Sequence, residues 1–444
     1  MNAYRPVSLR LVLAGVLGLL LFLGGCSLVG LSPDESKPGP APASAPATGA
    51  AHADLSFEEA SAAYAAGDYP KALAGFISLA GKSDTRAYLY LGLIHVQGLA
   101  GPQNEGEAVR WFRKAADAGD MRAQYNMGVM AAGGRGAVRD LGEAQVWFRK
   151  AAEQGDAESM FEAAALYLTG QGGIQDFTQA AHWFTQAAGK GHARAMYNLA
   201  IMYSRGDGVP QDSAESGKWL NMSADHGEPL AQYTLAVRLE DQGQPGDEVR
   251  ALALYRKAAD SGFARAQFVM GDRFFNGRGV DRDEEAAARW FQLAARQGYP
   301  PAMYGLGLIF AQREPPDGAA ARTWFEDAAR RGHAGAMLGL SQLYRLGLGV
   351  EKNDVLAAQW LEGSALRGEA LAQLLMAQAS MGEMGLPKNP AQALFWAEVA
   401  ARAGNAEAAT LRDRIRGLVP PAEGAKALDT AKAFVPLPQE WQEE

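Results

Sequence analysis

Between residues 111 and 404 the apolar, small and polar positions fall into one pattern that returns nine times. It opens on a large apolar pair, usually Trp then Phe. Small residues follow four and five positions after the Trp, and a glycine closes the phrase eight positions after it. WFRKAADAGD at Trp111-Phe112 returns at Trp147-Phe148, Trp183-Phe184, Trp219-Leu220, Leu254-Tyr255, Trp290-Phe291, Trp324-Phe325, Trp360-Leu361 and Trp396. Successive anchors lie 36, 36, 36, 35, 36, 34, 36 and 36 residues apart, and the closing glycines run from Gly119 to Gly404. A degenerate copy precedes them, with Phe76 where Phe112 stands. A fixed period of this size marks stacked supersecondary units sharing one continuous core, and so one repeat domain.

Within a unit, Ala108, Trp111, Phe112, Ala115 and Ala116 share one face at 3.6 residues per turn, so Glu107 to Ala118 reads as an amphipathic helix. Gly119 is its stop signal. A second helix follows, in which Ala123, Tyr125 and Gly128 recur as Ala195, Tyr197, Ala200 and as Ala266, Phe268, Gly271. Small residues at fixed places let helix backbones approach, and large ones fill the space between. A glycine-rich loop then ends at Asp176, Asp212, Asp283 or Asn353, each suited to cap the next helix for about 1 kcal/mol. Val209, Val280 and Val350 are placed to plug these loops. Two units lack the long loop, near Gly243 and Pro315, which accounts for the steps of 35 and 34.

The A-x-x-W-F-x-x-A-A-x-x-G phrase joined to a G-x-G-V-x-x-D loop resembles the Sel1-like repeat, a longer-looped relative of the tetratricopeptide repeat. The resemblance covers roughly residues 55 to 416. It implies an all-α, right-handed α-solenoid of about ten helix-turn-helix repeats that holds other proteins together. Leu254 in place of Trp and Ser216 in place of the upstream Ala are its departures.

The N-terminus changes the picture. Arg5 and Arg10 precede an apolar run from Leu11 to Leu23 and then Gly24-Gly25-Cys26, the layout of a secretory signal rather than a spanning helix. L-G-G-C resembles the bacterial lipobox, which implies removal of residues 1–25 and lipidation of Cys26. Cys26 is the only cysteine of the chain, so disulfides, cysteine nucleophiles and Cys-ligated metals are excluded within the mature monomer. Loss of Arg5 and Arg10 moves the formal charge from −8 to −10, which argues against nucleic acid as a partner. Residues 26–53 then read as a Pro/Ala/Ser-rich linker, spanning roughly 30 Å as a coil and about 80 Å when extended. Ser27 after the cysteine favours outer-membrane transfer, by resemblance to enterobacterial lipoproteins. The repeat domain is expected over residues 54–416, and a capping helix with a tail over 417–444.

Candidate chemistry is sparse. GFISLAGKS from Gly75 carries five residues between its glycines where a phosphate loop has four, and it lies on a helix. No two of His52, His95, His182, His192, His226 and His333 are spaced to ligate zinc from one helix face, and His192 and His333 follow the repeat glycine where a helix starts. Neither G-x-S-x-G nor H-E-x-x-H occurs. The shared register of the tryptophans predicts core positions rather than a sugar platform. No catalytic, cofactor or metal residue is assigned.

Partner contacts are expected at polar positions that differ between units, on the helix carrying Tyr125 or Tyr197. The candidates are Gln124, Asn126, Glu162, Asn198, Gln232 and Thr234. The function expected is a non-catalytic, lipid-anchored periplasmic scaffold for envelope proteins. Its layout is similar to that of alginate-export scaffold lipoproteins, which implies a place in exopolysaccharide secretion; localising peptidoglycan-remodelling enzymes is equally compatible. The alternatives are a Sel1-like β-lactam-binding or hydrolysing enzyme, whose known members are rich in cysteine, and a periplasmic regulator of a sensor protein.

Overall fold

The structure, a computed structural model, describes residues 54–382 and 384–439. The expected signal segment, Cys26 and the linker lie outside the described residues. By its contacts the chain divides into two compact units between Ala231 and Gln232. The first contains α1 (Phe57–Ala65), α2 (Tyr69–Gly81), α3 (Arg86–Gln97), α4 (Glu105–Asp117), α5 (Met121–Gly133), α6 (Leu141–Glu153), α7 (Ala157–Thr169), α8 (Phe177–Gly189), α9 (Ala193–Arg205) and α10 (Ser213–Asp225). The division falls inside α11 (Pro229–Gln242). The second contains α12 (Asp247–Asp260), α13 (Ala264–Asn276), α14 (Glu284–Arg296), α15 (Pro300–Gln312), α16 (Gly318–Arg330) and α17 (Ala334–Leu346). It continues with α18 (Asp354–Leu366), α19 (Ala370–Ala379), α20 (Pro390–Arg402), α21 (Ala406–Arg416) and α22 (Pro421–Ala433). There is no strand among the described residues, and the chain is an all-α solenoid built from helix pairs.

Local chemistry sets the helix ends. Asp176, Asp212, Asp283 and Asn353 each cap the following helix by accepting from its first-turn amides. Asp120, Asp156, His192 and His333 do the same for second helices, the two histidines through Nδ1. Gly119 has φ +93° and ends α4, its N–H donating to Ala116 O while Asp120 N–H donates to Ala115 O.

The tightest packing joins the second helix of one pair to the first helix of the next. In the first unit these contacts are α3 on α4, α5 on α6, α7 on α8 and α9 on α10. Phe112, Phe148 and Phe184 lie in these seams at 0% exposure. The rings press on helix backbone: a Cβ on Gly92 would sit 2.4 Å from Phe112, and one on Gly128 2.5 Å from Phe148. In the second unit Gly271 faces Phe291 and Gly307 faces Phe325 in the same way.

The tryptophans behave differently from the expected core ladder. Among the described tryptophans only Trp147 and Trp396 are buried, while Trp111, Trp183, Trp219, Trp290, Trp324 and Trp360 are half-buried. One residue is a 100° step around a helix, so when the following Phe enters the seam the Trp is left at its rim. There Trp111 stacks on Tyr88 of the preceding pair at 5.8 Å, with the Lys114 ammonium 4.3 Å from the indole centroid. Trp183 and Trp219 seal a core of residues 152–202 in the same way.

The loop glycines are needed for close approach as well as for turning. Gly208 has φ +69°, and a Cβ there would lie 2.2 Å from Phe177 O. Gly227 has φ +88° with nothing within 4 Å of such a Cβ. Gly227→Ala is therefore expected to cost about 1 kcal/mol of backbone strain, and Gly208→Ala about 2 to 4 kcal/mol, because the loop must also lift off α8. Urea midpoints of the two variants measure the difference.

Candidate interaction site

The six positions expected outside the core lie inside it. Gln124, Asn126, Glu162, Asn198, Gln232 and Thr234 are each at most 6% exposed. Their helix is wedged between its own partner and the first helix of the next pair, as α5 is between α4 and α6, so even its polar positions are enclosed. Gln124 Nε2 donates to Ala116 O at 3.2 Å, and its oxygen accepts from Gln154 Nε2 at 2.7 Å. Gln154 also donates to Gly119 O, closing a latch between successive pairs. Gln267 and Gln297 repeat that latch in the second unit. Asn198 donates to Arg194 O at 2.9 Å. As placed, these side chains offer no surface to a partner. Ala-Gln followed by Tyr, Phe or Leu recurs at Gln124, Gln232, Gln267 and Gln373, but only Gln124 and Gln267 have the glutamine thirty residues on, Gln154 and Gln297, that completes the latch.

A different surface is already in use. After α22 the chain turns extended and runs back across the helix ends of α18 and α17. Phe434 meets Phe395 and Trp396 edge-on at 5.9 and 5.8 Å. Leu437 N–H donates to Leu366 O at 2.9 Å, and Gln439 Oε1 accepts from Ala334 N–H at 3.4 Å. These are a last-turn carbonyl and a first-turn amide, groups a helix leaves unpaired. Pro436 lies over Gly368, where a Cβ would come within 3.2 Å of it. Gly332, His333 and Ala334 are buried at this corner. In sequence this segment reads only as a tail, because its contacts lie far away along the chain.

His333 shows what the enclosure does electrostatically. Its ring stacks on Tyr304 at 4.8 Å, and burial pushes its pKa down to about 3. The unfolded chain, with an imidazole near 6.5, takes up a proton between about pH 6.5 and 3 that the folded chain cannot. Stability is therefore lost as pH falls through that window, by up to about 1.4 kcal/mol per pH unit from this group. His333→Asn keeps a capping acceptor and does not titrate. Its urea midpoint should fall less between pH 7 and pH 4.5 than that of the unaltered chain.

Among the described residues no three His, Cys, Asp or Glu side chains gather to hold a metal ion. One buried charged group stands out, in the second unit where the repeat has Tyr255 instead of Phe. The Arg273 guanidinium bonds Glu240, and Tyr255 Oη donates to Glu240 Oε2 at 2.8 Å. Burial raises the Tyr255 pKa and lowers that of Arg273. The phenol stays protonated and donates to the carboxylate, which is paired with the guanidinium, so the three groups are committed to one another.

The Sel1 repeat family model matches residues 85–120, 122–156, 157–192, 193–228, 229–263, 264–299, 300–333, 334–369 and 370–405. A match such as 157–192 spans α7, its loop and α8, the tightly seamed pair rather than the pair joined at the glycine corner. Among solved structures, a protective antigen present in uropathogenic Escherichia coli strains and displaying an SLR fold is 28% identical, with a TM-score of 0.69 over 85% of this chain and 84% of that one. A Sel1 repeat protein from Oxalobacter formigenes is 29% identical over 53% of this chain and 94% of that one, with a TM-score of 0.48. No curated protein matches the chain.

Proposed function

The chain belongs to the Sel1 repeat family, and from that premise we propose that it is a non-catalytic scaffold, lipidated at Cys26, that docks envelope proteins on the periplasmic side of the outer membrane. Sel1-repeat proteins in general mediate protein–protein interactions. The observation that carries the docking role is the seating of residues 434–439, an extended segment held by helix-end groups and a glycine corner. The repeated large and small residues are consumed in stacking, which leaves the corners and outer faces for recognition. Membrane attachment is supported by Arg5, Arg10, the apolar run and the Leu23-Gly24-Gly25-Cys26 motif. Exopolysaccharide secretion is the narrower setting, favoured by layout alone: repeats behind a lipobox.

Labelled palmitate fed to cells making the chain or its Cys26→Ser form tests the anchor. Label and outer-membrane fractionation should follow the cysteine, and an unlabelled wild-type chain would reject the anchor. Nitrocefin turnover by the purified chain, above that of a Phe148→Ala control, would overturn the non-catalytic reading.

A further inference from the structure

The seated tail is bound in a manner that invites exchange. Val435 is 79% exposed and Leu437 46% exposed, so Val435 contributes little burial and Leu437 only part of its side chain. Among the described residues, a backbone hydrogen bond, a side-chain acceptor and one proline on one glycine hold residues 435–439. None of these depends on the segment being covalently part of this chain.

Charge adds direction. Arg330 and Arg331 precede Gly332, and Arg367 precedes Gly368. At three of the four matching corners of the first unit the residue two before the glycine is acidic, Asp117, Glu153 or Asp225, and at the fourth Gly189 and Lys190 precede Gly191. The sequence beyond Gln439 carries Glu440, Glu443 and Glu444, opposite in sign to the arginines of its corner.

We propose that the strip formed by residues 332–334 and 366–368 is a docking site for an extended, proline-containing acidic segment of a partner protein, and that residues 435–439 occupy it until such a segment replaces them. This deepens the scaffold reading and rests on it. The strip supplies a carbonyl at Leu366, an amide at Ala334 and a flat glycine for a proline ring, with Arg331 and Arg367 beside it in sequence and Arg330 paired with Asp327. A tethered occupant competes at an effective concentration in the millimolar range, so the strip should accept a free segment weakly until the tail is lifted.

The test uses the full chain and a fluorescein-labelled peptide with the sequence of residues 434–444, titrated by anisotropy. Leu437→Pro deletes the N–H that Leu366 O accepts, and should raise peptide affinity at least about tenfold over wild type. Adding Gly368→Val to Leu437→Pro should reverse the gain. Adding Gly404→Val, at a glycine of φ +92° with nothing within 4 Å, should leave affinity within about twofold and controls for backbone strain. A peptide with both prolines changed to glycine should bind at least about tenfold more weakly, which decides the matter even if the valine variants fold poorly. Equal binding to wild type and Leu437→Pro, no binding to a Leu437→Pro chain that melts normally, or indifference to the prolines would overturn the proposal. Capture of envelope partners despite that failure would reject the strip alone, whereas peptide binding without such capture would reject the envelope setting alone.

Discussion

Phe184→Ala will destabilise the first unit by about 3 to 5 kcal/mol, and Trp183→Ala, although it removes the larger side chain, by only about 1 to 2 kcal/mol. Phe184 is fully enclosed in the seam between α7 and α8, packed with Ala164 and 5.7 Å from the Phe161 ring. Its loss leaves a cavity that two helix backbones, fixed by their other contacts, cannot close. Trp183 is only partly enclosed at the rim, so its removal opens a hollow that solvent can reach and leaves no comparable void. Because units in a repeat array stabilise mainly their neighbours, the loss should appear first as faster amide exchange in α7 and α8. Hydrogen exchange followed by mass spectrometry gives the ranking directly. A larger effect at Trp183 would mean that the seam is not the principal source of stability.

The second large effect is expected at Glu240. Glu240→Ala removes the acceptor of Tyr255 Oη and strips Arg273, whose side chain is 6% exposed, of its main carboxylate partner. Breaking a buried pair from one side costs about 3 to 5 kcal/mol, most of it the uncompensated charge that remains. Replacing both partners, as Glu240→Leu with Arg273→Met, should recover most of that loss, because the desolvation cost disappears together with the attraction. A double-mutant cycle on urea midpoints reads the coupling. If the single and double variants are equally unstable, the pair is not what holds this corner.

Much of the fold was legible because it repeats. The period, the first helix of each pair, its glycine stop and the capping Asp and Asn all follow from local spacing, and Asp176, Asp212, Asp283 and Asn353 cap as expected. The division of labour in Trp-Phe was not legible, since periodicity assigns neighbouring positions to one face without saying which enters the seam. Gln124 misled for a related reason: polarity suggested surface, although recurrence beside Ala123 marked it as part of the stacking. The tail was missed because Leu437 meets Leu366 and Gln439 meets Ala334, partners distant in sequence that leave no periodic trace. Tyr255 in a Phe slot was a readable hint of a buried acceptor, but nothing local identified Glu240 or Arg273 as its company.

The proposed role of the chain as an anchored adaptor is tested most directly by crosslinking followed by affinity purification of tagged protein from its native membrane at native abundance, with Cys26→Ser as the comparison. The account predicts a defined set of envelope proteins recovered with the anchored form and depleted from the unanchored one. Recovery of the anchored chain alone, or of the same proteins irrespective of Cys26, would contradict it.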